Sequence, residues 1–188
     1  MATGCILRSK RLILRQPVVE DAPAIAAYYR DDEAHMREFT PAPPAMREAA
    51  FWETYIPQMR DEFDAGHTCK TFLYELDDRT VFGGATLSHI IRGYFQACYL
   101  GYNIDAAHEG RGLMREALQA LIAFAFDDLN LHRIMANYMP RNQRSAALLE
   151  RLGFVIEGKA KEYLRINEVW EEHVLTSLTN QAWRAGLP

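Results

Sequence analysis

The sequence of 188 residues lacks the long apolar runs that mark membrane proteins and secreted precursors. No run approaches the ~18 to 20 apolar residues that a helix needs to cross a bilayer, so no membrane span is predicted. The N-terminal segment MATGCILRSKRL also lacks the apolar core of a secretory signal. We therefore expect a cytoplasmic protein that is not attached to a membrane.

Cysteine is scarce, and histidine is not arranged for metal binding. Cys5, Cys69 and Cys98 are odd in number, far apart in the sequence, and form no Cys-x-x-Cys pair. This pattern predicts free thiols in a reducing compartment rather than a disulfide framework. None of the six histidines pairs with another ligand at the spacing of a metal site, so we expect no bound metal.

Positive charge is not in excess: the chain has 21 Lys and Arg residues and 25 Asp and Glu residues, which gives a net charge of −4. This balance argues against direct nucleic-acid binding and suits a basic peptide or an amine as substrate. Apolar residues make up 49% of the chain, enough for a substantial core. We expect one domain over residues 1–188, and either a monomer or a homodimer is compatible with the sequence.

The clearest motif lies in the second half of the chain. Cys98 to Ile104 is apolar and aromatic, as in a strand that crosses a sheet, and a turn with Gly110 and Gly112 follows. From Met114 to Leu129, apolar residues recur at steps of three and four, which predicts a helix. The remaining predicted elements here are a strand at Arg133–Met139, a helix at Asn142–Leu152 and a capping glycine at Gly153.

The turn HEGRGLM is suited to hold an anion. A glycine turn that leads into a helix exposes backbone N–H groups without partners at the positive end of the helix dipole. Arg111 adds a fixed positive charge. The turn therefore predicts a phosphate or pyrophosphate site. A nicotinamide-dinucleotide site is not favoured, because the third glycine of that fingerprint is missing.

The first part of the chain predicts a strand and two helices. Ser9 to Gln16 alternates apolar and polar residues, and acidic Glu20 and Asp21 mark the start of a helix. A loop with Pro41, Pro43 and Pro44 precedes a longer helix at about Ala45 to Ala65. Pro57 falls inside this helix and should kink or split it.

Two hairpins complete the pattern. The first pairs Thr68–Leu76 with Thr80–Ile91, where Gly83-Gly84 indicates a bulge or a close approach of another backbone. The second pairs Phe154–Leu164 with Val169–Leu178. The fold class that this order predicts is α/β (α+β), with one central mixed, mostly antiparallel sheet and helices on both faces.

The stretch from Cys98 to Phe154 resembles the acetyl-CoA core of the GNAT N-acetyltransferases. Gly110 and Gly112 match the family's Gln/Arg-x-x-Gly-x-Gly/Ala loop, although Ala107 stands at the Gln/Arg position. Asn142-x-x-Ser145 followed by Gly153-Phe154 matches the second half of the signature. The similarity extends from about Arg11 to Leu178 and is strongest to members that acetylate the N-terminus of a ribosomal protein.

The resemblance implies acetyl-CoA as the co-substrate and a set of residues that bind it. A backbone N–H of the strand before the turn would polarise the thioester carbonyl. The implied binding residues are Tyr102, Ile104, Glu109, Gly110, Arg111, Gly112, Leu113, Met114, Asn142 and Ser145.

Two side chains are implied to assist the chemistry. Glu162 resembles the carboxylate that related enzymes use as general base. Many family members protonate the departing thiolate with a tyrosine at the position of Leu149, and leucine has no proton to donate. Ser145, three residues after Asn142, is the hydroxyl expected to replace it.

The expected function is transfer of an acetyl group to the N-terminal alanine of the fifth protein of the small ribosomal subunit. Two alternatives stay open. One is a GNAT enzyme that acetylates a small amine, and the other is a catalytically silent acyl-CoA-binding module that regulates a partner. The sequence does not distinguish the acceptor amines, because the early helices that form the acceptor site vary within the family.

Overall fold

The structure is a computed structural model that describes residues 5–40 and 42–185, with the side chain of Cys5 excepted. Within this part of the chain, eight strands form one sheet. The strands are β1 (Cys5–Arg8), β2 (Ile13–Arg15), β3 (Cys69–Tyr74), β4 (Val81–Ile91), β5 (Ala97–Ile104), β6 (Arg133–Tyr138), β7 (Val155–Ile166) and β8 (Val169–Thr179).

Five α-helices lie between the strands of the described residues. They are α1 (Ala22–Asp31), α2 (Glu33–Met36), α3 (Ala49–Asp64), α4 (Leu113–Ala123) and α5 (Gln143–Arg151). A π-helical turn, Phe124–Asp128, continues α4, and short 3₁₀ turns occur at Val19–Asp21, Pro44–Arg47 and Ala106–His108.

The strand order is β1-β2-β3-β4-β5-β6-β8-β7. All neighbouring strands are antiparallel except β5 and β6, which are parallel because α4 carries the chain back across the sheet between them. The predicted mixed, mostly antiparallel sheet is therefore confirmed. The candidate site lies at β5 and β6, the one parallel pair among the described strands.

Helices cover both faces of the sheet, as predicted. Strand residues alternate between the faces: Leu12, Leu14, Leu73 and Phe82 pack with α4 and α5, whereas Ile13, Phe72, Tyr74 and Val81 pack with α1 to α3. We refer to these two sides as the α4–α5 face and the α1–α3 face. Both clusters are buried, so the sheet separates two hydrophobic cores.

The first part of the chain departs from the sequence-based prediction. The helix expected from Ala45 begins at Ala49, because Pro44–Arg47 forms a 3₁₀ turn and Glu48 is extended. Helix α3 then continues through Pro57 without a break. Pro57 lies on the exposed side of the helix, where water can satisfy the carbonyl that it leaves without a donor. Strand β1 was not predicted, and Pro41 lies outside the described residues.

The predicted close approach at Gly83-Gly84 is confirmed. A Cβ atom on Gly83 would lie 2.9 Å from the backbone oxygen of Asn103 on β5, a distance that real Cβ atoms do not reach. The pairing of β3 with β4 also shifts next to this glycine, between Leu73 and Tyr74. Gly83 thus lets β4 pair closely with β5, the strand that borders the candidate site.

A buried ionic cluster joins the first helix to the sheet. The Arg15 guanidinium donates to both carboxylate oxygens of Asp21, at 2.6 and 2.9 Å. Asp21 also accepts from the backbone N–H of Val18 and from the Tyr74 hydroxyl. Burial opposes the charge of Asp21, but these hydrogen bonds outweigh it and lower the pKa of the carboxyl group.

Among residues 5–40 and 42–185, none of the helices has both the length and the apolar character that a bilayer crossing requires. In the same residues, Cys69 and Cys98 are buried free thiols, as expected. No group of three or more potential metal ligands occurs in this part of the chain.

Candidate active site

The sheet opens where β5 and β6 stop pairing. The two strands pair only from Ala97 to Tyr99 on one side and from Arg133 to Met135 on the other. Beyond that point β5 stays with β4 as far as Ile104, while β6 stays with β8 as far as Tyr138. A cavity of about 1110 Å³ occupies the opening and has lining residues from both faces of the sheet.

Backbone donors of β5 line this opening. The N–H of Asp105 donates to Phe82 on β4, which fixes the alternation of inward and outward groups along the antiparallel pair. By this alternation, the backbone N–H groups of Leu100, Tyr102 and Ile104 point away from β4. The Leu100 N–H completes the last pair with β6, at Tyr99 and Met135. The N–H groups of Tyr102 and Ile104 lie beyond that pair and have no partner on β6 within the described residues, so they are free to bind a ligand.

The glycine turn lies at one end of the cavity. Gly110 and Gly112 have φ angles of 70° and 75°, which glycine adopts without strain. Gly112 caps α4, and its carbonyl accepts the bond from Glu116 N–H. The N–H groups of the first turn of α4 therefore lack partners within the helix. The turn has the geometry of an anion site at a helix N-terminus.

Arg11 holds the glycine turn from outside the cavity. Its guanidinium donates to the carbonyls of Arg111, at 3.0 Å, and Gly112, at 3.5 Å. The same side chain forms an ion pair with Glu116 on α4. Because Arg11 binds the carbonyl side of the turn, it fixes the turn without occupying its N–H groups.

Charged side chains surround the mouth of the cavity near this turn. Glu109 pairs with Arg144 at the start of α5, at 2.5 Å, and with His35, at 3.1 Å. Arg115 and Arg151 also line the cavity. Arginines therefore outnumber the single carboxylate here, which suits an anionic ligand with several phosphates.

Two hydroxyl groups meet where α5 begins. The side chain of Asn142 caps α5 by accepting from the backbone N–H of Ser145, at 3.1 Å. The hydroxyl oxygens of Ser145 and Tyr102 are hydrogen-bonded at 2.7 Å. Burial raises the pKa of Tyr102 to about 12, although the bond with Ser145 acts in the opposite direction. Tyr102 therefore stays protonated at neutral pH and can supply a proton through Ser145.

Leu149 does not line the cavity. It is 1% exposed and packs in the core of the α4–α5 face. Gly153 follows with a φ of 88°, and Phe154 N–H closes the cap by donating to the carbonyl of Leu149. The predicted glycine cap is thus confirmed, and Leu149 serves the core.

The cavity has a different lining on the α1–α3 face. The lining residues on this side are Met36, Phe39, Thr40, Tyr99, Asn103, Asn137, Leu164, Ile166 and His173. Asn167, at the tip of the β7–β8 hairpin, donates to the carbonyl of Arg37 at 2.6 Å. Arg141 pairs with Glu171 at 2.7 Å. The first contact holds the hairpin against the segment after α2, and the second holds it against the loop between β6 and α5.

The structure brings most of the predicted site residues together. Those that line the cavity are Tyr102, Ile104, Glu109, Gly110, Gly112, Leu113, Met114, Asn142 and Ser145. Arg111 does not line it, and its side chain is exposed.

Glu162 lies apart from this group. The register of β7 shifts between Ala160 and Leu164, which places two extra residues opposite β8, and Glu162 has a φ of 50°. Its side chain is exposed and does not line the cavity. The role of Glu162 as general base stays a prediction.

Sequence reasoning did not identify several residues of the site. Arg11 lies about a hundred positions before the turn that it holds, and no local pattern links the two. Arg144 could have been found from the sequence, because it lies within the Asn142-x-x-Ser145 motif and places a positive charge at a predicted helix start. His173 lies in the second strand of a predicted hairpin, where no local pattern marks it as a site residue, and it lines the cavity.

Comparison with known proteins agrees with this geometry. The family model described as "Acetyltransferase (GNAT) domain" matches residues 11–155. The chain is 39% identical over 181 residues to "[Ribosomal protein uS5]-alanine N-acetyltransferase" of Escherichia coli, with coverage of 96% of this chain and 93% of the relative.

Solved structures are similar over almost the whole chain. The Ribosomal-protein-S5-alanine Acetyltransferase from Vibrio fischeri has a TM-score of 0.91 and 34% identity, and covers 95% of this chain and 98% of its own. RimJ of Mycobacterium smegmatis, in complex with CoA-disulfide, shares the fold at a TM-score of 0.83 and 23% identity, covering 94% and 90%. The resemblance expected from the glycine turn and the Asn142 motif is confirmed, and the chain belongs to the GNAT acetyltransferase family.

Proposed function

We propose that this protein transfers the acetyl group of acetyl-CoA to the N-terminal α-amine of an alanine on ribosomal protein uS5, and that residues 1–188 act as one domain. The E. coli relative with that printed activity aligns with nearly the full length of this chain. The observation that carries the proposal is the opening between β5 and β6. Its cavity extends from the anion-binding turn on the α4–α5 face to a different set of lining residues on the α1–α3 face.

In this proposal, acetyl-CoA lies along the α4–α5 side of the opening. The free N–H groups at the start of α4 bind its pyrophosphate, and Arg115, Arg144 and Arg151 add positive charge nearby. The cavity volume, about 1110 Å³, slightly exceeds the ~300–1,000 Å³ that small-molecule sites occupy and suits a long ligand.

The backbone of β5 would polarise the thioester. The N–H group of Tyr102 or of Ile104 donates to the carbonyl oxygen, which becomes negative as the amine attacks. The amine enters from the α1–α3 face. An α-amine has an ordinary pKa of about 8, against about 10.4 for lysine, so far more of it is neutral and reactive at pH 7.

Departure of the thiolate would require a proton, which Ser145 can deliver. Its hydroxyl is hydrogen-bonded to Tyr102, which remains protonated and can restore the proton that Ser145 loses. The Asn142 cap fixes the backbone at Ser145 and so supports the position of this hydroxyl. Here the pair of hydroxyls takes the place of the tyrosine that other members have at the position of Leu149.

Glu162 remains the base that the family resemblance suggests. It would have to act through solvent or after a rearrangement of the β7 bulge, because its side chain lies outside the cavity. A Glu162→Gln variant with a kcat about 10²-fold lower would support that role. An unchanged kcat from pH 6 to pH 9 would remove Glu162 from the mechanism.

A pair of peptides tests the proposed function. The first is the N-terminal peptide of uS5, which starts with alanine and has a free α-amine; the second has the same sequence with a blocked N-terminus and free lysines. We expect mass spectrometry to find acetylation of the first peptide only. Equal rates on both would indicate a general amine acetyltransferase, whereas coenzyme A binding without transfer to any amine would indicate a silent binding module.

A further inference from the structure

His173 is buried in the wall of the cavity, with 4% of its surface exposed. It lies on β8, next to Val174, which pairs with Tyr138 of β6. Tyr138 packs on the α4–α5 face, so Val174 faces that side and His173 faces the α1–α3 side. His173 is therefore on the side from which an acceptor amine would reach the thioester.

The hydrogen bonds of His173 determine which ring nitrogen is free. Its Nδ1 lies 3.0 Å from the backbone oxygen of Glu171, and a carbonyl oxygen can only accept. Nδ1 therefore carries a hydrogen, and Nε2 of the neutral ring has the lone pair. Among the hydrogen bonds of residues 5–40 and 42–185, Nε2 has no partner.

Taken together, the position and the tautomer make His173 a base that faces the acceptor. We propose that His173, through Nε2, is the general base that takes the proton from the attacking amine. This inference rests on the proposed function, and it assigns to a cavity residue the role that family resemblance gives to Glu162. Histidine is suited to the task because a neutral imidazole can accept a proton at one ring nitrogen while the other remains a hydrogen-bond donor.

The proton balance of the step is complete with groups in the structure. The amine nitrogen forms a bond to the carbonyl carbon, and its extra proton passes to Nε2 of His173. Breaking of the C–S bond releases the thiolate, which takes a proton from the Ser145 hydroxyl. His173 then releases its proton to solvent, while Tyr102 and Ser145 regain one, so that the products are an amide and a thiol.

The charged and titratable groups around His173 are few. Glu171 lies two residues away on the same strand and is neutralised by Arg141. Tyr163 of β7 contacts the ring with a centroid distance of 5.5 Å, and Tyr99 of β5 lines the same cavity. None of these groups occupies Nε2, so the position is open to a substrate amine.

His173→Asn tests the role of the ring nitrogen directly. Asparagine keeps a donor near the position of Nδ1, so it can retain the bond to the Glu171 carbonyl while removing Nε2. We expect kcat with an α-amine acceptor to fall about 10²-fold. The increase in melting temperature on adding acetyl-CoA should remain, because His173 lies on the opposite side of the sheet from the glycine turn.

Two further measurements separate a base from a structural residue. The defect of His173→Asn should shrink as pH rises, because hydroxide can then take the proton in place of Nε2, and added imidazole should restore part of the activity of His173→Ala. His132→Asn is the matched control, since His132 packs on Trp183 away from the cavity and its loss should leave kcat unchanged.

The proposal is overturned if His173→Asn retains wild-type kcat, or if its loss is the same at every pH and accompanies loss of the acetyl-CoA thermal shift. A large loss in Glu162→Gln with none in His173→Asn would return the role to Glu162. The rates are measured on the uS5 peptide and on alaninamide, so failure on the peptide alone refutes only the proposed acceptor.

A readout that needs no activity completes the test. Nitrogen-15 NMR of the free protein should find the His173 proton on Nδ1. A proton on Nε2 with a bare Nδ1 would exclude the base, even if the wild type acetylated neither amine.

Discussion

The glycine turn offers a test in which backbone strain and ligand binding can be separated. Gly110 and Gly66 have nearly the same backbone conformation, with φ angles of 70° and 74°, and both have open space where a Cβ would lie. Gly110 lines the cavity, whereas Gly66 follows α3 and does not. Leucine at either position introduces the same left-handed strain, but only Gly110→Leu places a side chain where the phosphates would bind.

The size of each effect can be worked out. A left-handed conformation costs a residue with a Cβ about 1–2 kcal/mol, and each kcal/mol lowers the melting temperature of a chain of this size by about 2–4 °C. Both variants should therefore melt about 2–8 °C below the wild type. Coenzyme A at about 100 times its Kd stabilises the native state by about 2.7 kcal/mol, a rise of roughly 5–10 °C.

Thermal unfolding with and without coenzyme A measures both effects in one assay. We expect the wild type and Gly66→Leu to gain the full ligand shift and Gly110→Leu to lose most of it. A full shift in Gly110→Leu would refute the phosphate site. Loss of the shift in Gly66→Leu as well would mean that destabilisation alone explains the result.

Three further predictions concern the ionic cluster, a buried lysine and the leaving group. Asp21→Asn removes one of the two carboxylates that pair with Arg15, while Asp78 stays, and should lower the free energy of unfolding by about 1–3 kcal/mol at pH 7. Because the pKa of Asp21 is lowered by folding, urea titrations should show this difference above about pH 4 and its decline at lower pH. Burial lowers the pKa of Lys70 to about 8, so the unfolded chain holds this proton up to higher pH and the stability of the wild type should rise between about pH 8 and pH 10. Lys70→Met should lack that rise and exceed the wild type by about 1–3 kcal/mol at pH 7, whereas equal stability at all pH values would contradict the shift. Ser145→Ala should slow turnover of acetyl-CoA about 10²-fold, but much less with an acyl donor whose leaving group has a low pKa; equal losses with both donors would argue against proton delivery by Ser145.

The sequence alone predicts the helices, strands and caps whose determining residues are close together in the chain. The hairpin of β3 and β4, the periodicity of α4 and the caps at Asn142 and Gly153 are all predicted from residues close to them in the sequence. The anion-binding geometry of the turn follows from Gly110, Gly112 and the helix after them.

The residues that sequence reasoning missed depend on strand pairing. Glu162 was expected in the site, but the register shift in β7 exists only against β8 and leaves its side chain exposed. His173 reaches the cavity because β8 lies beside β6 at the edge of the opening, and Arg11 reaches the turn because β2 brings it there. No local pattern carries that information. Pro57 is the opposite case, because its local signal predicted a kink or a split and the helix is not split there.

The central claim is that one opening in the sheet delivers the acetyl group of acetyl-CoA to an N-terminal α-amine. The most direct measurement follows the thiol released from acetyl-CoA and the acetyl group gained by the uS5 peptide in the same reaction, with Gly110→Leu as the control. We predict one acetylated α-amine per thiol released, and almost no product with the variant. Thiol release without peptide acetylation, or equal acetylation by Gly110→Leu, would contradict the account.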